Sequence, residues 1–352
     1  MDVQLEIAPL IRDLPELAVL RHPGALAPRL KEVTLDPVEL RPPDRQALRE
    51  LLPQLRERGR QLVLVGGPSA LRRASSLAGS VEQISHPDAP LPEAGKILVL
   101  LEGPTWADRY AERADAAGIP VLVCSSKSDA PPGGWWLEDA GDGRFGGLSS
   151  VTMLLAAWAG AELGELEEAE EGVRSACQKA ALADNPALLW GATISLLLRP
   201  EGDGRGGHIH LVSEGAQQGA AAQVARSMGA VLNEVPTIAG RRRPLSLHSR
   251  VGSLGDEEEL SEGGGGARDR LYTLWSQRGT DAELLGRARE HLRRAGQGVL
   301  GLRLAEGPRG LVAAVALAQR ATRVAAQLLG LDPRQSAARE AWRRRLLPET
   351  GE

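Results

Sequence analysis

Two short stretches carry side chains able to move protons or meet developing charge. One is Gly143-Arg144-Phe145-Gly146-Gly147-Leu148-Ser149-Ser150, which runs into the apolar residues 151–160; the other is Leu247-His248-Ser249-Arg250-Val251. An imidazole such as His248 takes or gives a proton near neutral pH. A guanidinium such as Arg144 stays charged and presents several donors to an anion. The structural alternatives are a surface-loop histidine and a salt bridge that ties a loop to a helix start. His208 and His210 alternate on one face of an expected strand, which suits packing or capping of a sheet better than a metal pair. No Cys or His spacing suggests zinc, and Gly66-Gly67-Pro68 lacks the third glycine of a dinucleotide fingerprint. No cofactor is expected.

The rest of the composition narrows the partners. A chain of 352 residues exceeds what one hydrophobic core organises, so two similar-sized lobes are expected. Aromatic residues make up only 3%, which leaves Leu, Val and Ala to fill the interior and no stacking platform for single-stranded nucleic acid. A formal charge of -4 also speaks against binding a phosphate backbone. Arg241–Arg243 and Arg343–Arg345 read as solvated loop and helix-end charges. The two cysteines, Cys124 and Cys177, cannot build a disulfide framework and suggest a reducing compartment. The first residues lack the basic-then-apolar order of a signal peptide, and no apolar run is long enough to span a bilayer. A cytoplasmic protein with no membrane or nucleic-acid partner is expected.

The elements that must position these groups follow from apolar runs and their punctuation. Residues 1–60 read as a helical preface, with Asp44 before a helix from Arg45 to Arg58 and Gly59 after it. Gln61–Val65, Lys96–Leu101 and Ile119–Cys124 are short apolar runs that end in turns, as buried parallel strands do. Between the last two lies a helix, Trp106–Ala117. Pro131-Pro132-Gly133-Gly134 is expected to close this first lobe. Helices then cover 148–160 and 162–179, the second read as an acidic, solvated face, and a third opens at Asn185-Pro186. A second series of strands is expected at Gly207–Ser213, Leu271–Trp275 and Val299–Leu304, with helices at Gly219–Met228 and 308–329. The glycine-rich, charged run 256–266 reads as a surface insertion. Strands alternating with helices predict an α/β fold of two lobes, each a doubly wound parallel sheet flanked by helices, with the cleft at the strand carboxyl ends. The expected boundaries are 1–60 for the helical segment, 61–147 for the first lobe, 148–330 for linking helices and the second lobe, and 331–352 for a C-terminal helix.

Several segments, in order, resemble the sugar-isomerase (SIS) signatures of the phosphoglucose isomerase family. Gly66-Gly67-Pro68-Ser69 is similar to its glycine-rich turn after the first strand, and Gly143-Arg144-Phe145 with Leu148-Ser149 to its Gly-Arg-Phe/Tyr-Ser segment. Ala225-Arg226-Ser227-Met228-Gly229 stands in place of Ala-Glu-Ser-Leu/Thr-Gly. His248-Ser249 and Arg268-Asp269-Arg270-Leu271-Tyr272-Thr273 mirror its His-Ser and Arg-Asp-Lys-Leu-Phe-Thr. The resemblance runs from about residue 60 to the end. It implies a sugar phosphate bound between two SIS-type lobes, substrate contacts from Gly66, Gly67, Ser69, Thr105, Ser149 and Arg226, and a homodimer with no metal.

Aldose–ketose interconversion needs a base for a carbon acid, a cation near the enediolate and a group that opens the ring. The resemblance assigns ring opening to His248 and the cation to Arg144. The base is where this chain departs from the pattern. In one register the family's glutamate falls on Arg226, which cannot deprotonate. In another, Leu232-Asn233-Glu234 resembles the Phe-Asn-Glu-Asn segment of the dual-specificity phosphoglucose/phosphomannose isomerases and makes Glu234 the base, although Val235 replaces the second Asn. The phosphate loop, 101–108, retains one hydroxyl, Thr105, while Pro104 removes an amide donor and Glu102 repels an anion. The family's C-terminal lysine aligns with Trp342 or with Arg343, which would keep the charge. The expectation is a sugar-phosphate-binding protein with weakened or lost isomerase activity. The alternatives are an active glucose-6-phosphate or mannose-6-phosphate isomerase using Glu234, and a non-catalytic scaffold.

Overall fold

The computed structural model describes residues 2–21, 33, 44–77, 81–101, 104–125, 134–138, 148–197, 208–213, 217–232, 248–252, 270–277 and 281–329. The chain divides into two compact units. One comprises Pro37–Ala169 with Gly307–Val312; the other comprises Met1–Asp36, Glu170–Glu306 and Ala313–Glu352.

The first of these units holds five parallel strands, β2 (Gln61–Val65), β3 (Glu82–Ile84), β4 (Lys96–Leu101), β5 (Val121–Ser125) and β6 (Trp135–Glu138), in the order β3-β2-β4-β5-β6. β2 and β4 read as unbroken apolar runs because both of their faces are covered, and Val63, Leu64, Leu98 and Val99 are each 0% exposed. Helix α2 (Arg45–Arg58) is capped by the Asp44 carboxylate, which accepts from the Ala47 N–H at 3.0 Å, and buries Leu48, Leu51 and Leu55 along one stripe. Gly59 ends it at a point where a Cβ would lie 2.6 Å from Ile97 Cγ1, so only glycine lets the chain pass so close to β4. The short helix α3 (Pro68–Ala74) follows β2, and α4 (Thr105–Ala116) lays Ala107, Tyr110, Ala111 and Ala114 on Val63, Val65, Leu98 and Leu100. Residues 131–133 of the run expected to close the first lobe lie outside the described residues; β6 starts at Trp135 and pairs in parallel with β5 through Leu122↔Trp135 and Cys124↔Leu137.

Helices α5 (Ser150–Trp158), α6 (Leu163–Cys177) and α7 (Pro186–Leu197) come next. The acidic face of α6 is not wholly solvated, contrary to expectation. Glu167 and Glu170 are buried, and Glu167 is bonded to Arg49 while Glu170 lies 3.9 Å from Arg320. Guanidinium partners distant in sequence make burial of these carboxylates tolerable.

The second unit holds β7 (His208–Val212), β8 (His248–Gly252), β9 (Arg270–Gln277) and β10 (Gly298–Leu304), with helices α8 (Gln217–Leu232), α9 (Asp281–Arg294) and α10 (Gly307–Leu328) following β7, β9 and β10. An edge strand, β1 (Val3–Glu6), completes the sheet, whose order is β1-β10-β9-β7-β8; the last four strands are parallel. β1 corrects the helical reading of residues 1–60, since it pairs antiparallel with β10 from Val3↔Leu304 to Glu6↔Gly301. The short helix α1 (Ala8–Asp13) follows β1. The unit boundaries also depart from those expected, because β1 belongs with the second sheet and the linking helix α5 with the first. Glu6 bonds both Arg289 and Arg303, and a Cβ on Gly301 would lie 2.0 Å from Arg289 Nη2, so this glycine opens the space the ion pair occupies. Replacing Glu6 by Ala is expected to lower stability by about 1–2 kcal/mol, since the pairs are only partly buried. The midpoint of urea unfolding checks this, and an unchanged midpoint would show that β1 is held by its backbone bonds alone.

The proposed basic C-terminal helix and the run 256–266 lie outside the described residues. Among the described residues, no helix is long and apolar enough to cross a membrane.

Candidate functional site

Each parallel sheet repeats one strand order. With the edge strands β6 and β1 set aside and the rest numbered along the chain, each reads second, first, third, fourth, so its direction of winding reverses between β2 and β4 in one unit and between β7 and β9 in the other. Helices leave a reversal point on opposite faces of the sheet, and the turns beyond the strand carboxyl ends part there to leave a crevice. These two crevices are the candidate sites.

In the first, β2 runs into Gly66 and Gly67, and β4 is followed by Pro104 and α4. The turns touch: a Cβ on Gly66 would lie 3.1 Å from Leu101 Cβ, and one on Gly67 would lie 3.5 Å from Pro104 Cδ. Pro104 is the N-cap of α4 and offers no side-chain cap, while the Ala107 N–H turns back to the Pro104 carbonyl at 2.9 Å. Thr105 is exposed, and Asp108 places negative charge in the first helical turn. Of the predicted substrate contacts, Gly66, Gly67 and Thr105 thus stand at this crevice, with little to hold an anion. Ser69 lies within α3, and its side chain is outside the described residues, as are Glu102 and Gly103.

Ser149, predicted as a substrate contact, has a structural task. It is 6% exposed and is the N-cap of α5; its hydroxyl accepts from the Thr152 N–H at 3.4 Å, and its carbonyl accepts from Thr152 Oγ1 at 2.8 Å. The neighbouring Ser150 hydroxyl accepts from the Asp44 N–H at 3.2 Å.

In the second unit the backbone of His248 opens β8, in register with His208, which is in turn in register with Arg270. That is the amino edge of the parallel sheet, opposite the end where such sheets form crevices. Arg226 lies in α8 between the buried Ala225 and Ser227. The side chains of His248 and Arg226, and the whole of Arg144, Glu234 and Arg343, lie outside the described residues. His210 is buried and stacks on Tyr272 at 4.6 Å and 11°. No cluster of metal-ligating side chains occurs among the described residues.

At the β7/β9 crevice, reading the sequence missed three polar side chains. Ser213, Gln217 and Thr273 are 0%, 2% and 0% exposed, and Ser213 Oγ, Gln217 Oε1 and Thr273 Oγ1 have no hydrogen-bond partner. Buried polar groups are ordinarily paired, so three such atoms in one region call for an explanation. A hydroxyl one residue past an apolar strand was the available signal, but it gains meaning only when the strand order is known.

No protein-family model and no curated protein sequence matches this chain. Solved structures do match. A hypothetical protein from Thermus thermophilus superposes with a TM-score of 0.70 at 16% identity, over 98% of this chain and 99% of that one. A glucose-6-phosphate isomerase from Chlamydia trachomatis superposes with a TM-score of 0.61 at 14% identity, over 87% of this chain and 74% of that one. The fold is therefore the mixed α/β arrangement that these structures share, with parallel sheets flanked by helices.

Proposed function

We propose that this protein binds a phosphorylated sugar and has weakened or lost aldose–ketose isomerase activity. The observation that carries the reading is the duplicated sheet with two reversal crevices in a fold like that of a glucose-6-phosphate isomerase. The loss of activity rests on what stands where proton transfer would need a carboxylate. In the register that lays the family's segment on residues 225–229, Arg226 takes the place of its glutamate, and a guanidinium cannot serve as a base. His248, the residue read as opening the sugar ring, has its backbone at the amino edge of the second sheet. Glu234 follows α8 by two residues and is the remaining carboxylate for a base.

The test has two arms. Millimolar glucose 6-phosphate or fructose 6-phosphate is expected to raise the thermal midpoint; a ligand at one hundred times its Kd adds about 2.7 kcal/mol. A coupled assay following fructose 6-phosphate is expected to show no turnover near the ordinary range of about 1–1,000 s⁻¹. Turnover in that range would overturn the loss of activity. Failure of every hexose phosphate to stabilise the protein would overturn the binding.

A further inference from the structure

We propose that the crevice between β7 and β9, at the start of α8, is the anion site of this protein and takes the phosphate of a phosphate monoester. This rests on the sugar-phosphate reading and assigns the phosphate to one of its two crevices.

Three observations converge there. The first is the comparison of equivalent positions in the two sheets. β2 and β7 are both five-residue strands, and the residue after each is Gly66 and Ser213 respectively. The fourth residue of each pairs with the neighbouring strand as Leu64↔Val99 and Leu211↔Thr273. Where the first sheet has a glycine and a valine, the second has two hydroxyls.

The second observation is the shared face. Residues in parallel register project to the same side, so Thr273 lies on the side of Leu211, and Ser213, two residues on, returns to that side. The connections β7→β8 and β9→β10 leave the reversal point in opposite directions, and right-handed crossovers then place α8 and α9 on opposite faces. α9 covers the face of Val212, Tyr272, Leu274 and Val299 through Ala288 and Leu292. The face carrying Ser213 and Thr273 is therefore the one opposite α9, on the side where α8 packs against β7 and β8.

The third is the set of unmet hydrogen bonds. Ser213 Oγ, Thr273 Oγ1 and, on the same face of β9, Trp275 Nε1 are buried donors without a partner, and Gln217 Oε1 is a buried acceptor without one. Gln217 is the first residue of the sixteen-residue α8, whose opening N–H groups have no partners inside the helix and whose dipole favours negative charge. Hydroxyl and N–H donors at a helix start suit phosphate oxygens, and the carboxamide oxygen suits a hydroxyl of the esterified sugar. The first crevice, with Pro104, an exposed Thr105 and Asp108, has no comparable set. The probes are used at millimolar concentration.

The experiment titrates inorganic phosphate and, separately, glucose 6-phosphate into the full chain and into Ser213→Ala, Thr273→Val, Ser276→Ala and Thr105→Val, with calorimetric readout. Ligand-free thermal midpoints check the fold of each. Ser213→Ala and Thr273→Val remove hydroxyls that are unpartnered, so their ligand-free midpoints are expected to match the wild type or exceed it. Each is expected to weaken binding of both probes at least tenfold. Ser276→Ala, a hydroxyl on the opposite face of β9, is expected to bind as the wild type does.

Phosphate binding that depends on Ser213 and Thr273, without sugar-phosphate binding, would support this site and overturn the sugar reading. Sugar-phosphate binding that Ser213→Ala and Thr273→Val leave intact, or that Thr105→Val alone abolishes, would overturn this site and leave the function standing. A wild type that binds neither probe overturns both.

Discussion

Gly191→Ala is expected to destabilise the protein by about 2–3 kcal/mol, a large effect for a single methyl group. α7 is apolar all round and is buried along its length, with Trp190, Ala192 and Ile194 each 0% exposed. At Gly191 it lies against α10 so closely that a Cβ would stand 2.5 Å from Val324 Cβ and 2.6 Å from the Ala321 carbonyl oxygen. Neither neighbour is the free end of a flexible chain, so the helices themselves must separate. Overpacking of this kind costs about 1–3 kcal/mol or more, while the better helix propensity of alanine returns up to about 1 kcal/mol. The thermal midpoint should fall by about 5 °C or more. A midpoint at or above that of the wild type would mean that the two helices part at little cost.

Stability should also fall steeply above pH 9, through Cys177. Its thiol is 2% exposed, and burial pushes it up to about 11; the opposing pull of the Arg320 guanidinium and of a backbone hydrogen bond at Ala187 is smaller. The folded protein therefore holds this proton more tightly than the unfolded chain does. Below pH 9 both states are protonated, and the contribution is fully present. Between pH 9 and 11 the unfolded chain ionises first, and stability is lost at up to about 1.4 kcal/mol per pH unit, for a total of about 2–3 kcal/mol. Comparing the pH dependence of unfolding in wild type and Cys177→Ala isolates this term from other groups that titrate in the same window. Parallel curves for the two proteins would refute it. The same burial predicts that Cys177 resists thiol reagents at pH 8 in the native state.

Much of the fold could be read from local pattern. β2, β4, β5, β7, β9 and β10 fall where apolar runs meet Gly, Pro or Ser, α4 and α10 fall within a residue of their expected limits, α7 opens where expected at Pro186, and α8 extends two residues before and four after the expected Gly219–Met228. The strands that escaped notice are β1, β3, β6 and β8, of four, three, four and five residues. All four are edge strands and none is an unbroken apolar run, so they become strands only because a neighbouring edge supplies hydrogen-bond partners. The burial of Glu167 and Glu170 was hidden for a related reason. Nothing near them in the chain announces that Arg49 and Arg320 will meet them.

The candidate residues divide in the same way. Ser149 has the composition of a ligand-loop serine and of a helix cap alike, and the backbone bonds of α5 make it a cap. Motif order pointed to His248 as a chemical group, whereas strand pairing places its backbone at the amino edge of the sheet.

Apolar run length and residue type are enough to establish strands alternating with helices and two α/β units, since these depend on neighbours along the chain. Strand order depends on pairing between distant segments. It alone decides that β7 lies beside β9, that winding reverses there, and that Ser213 and Thr273 share a face with their hydroxyls unmet. Either residue alone is an ordinary small polar side chain. That they share a face is a property of the folded sheet.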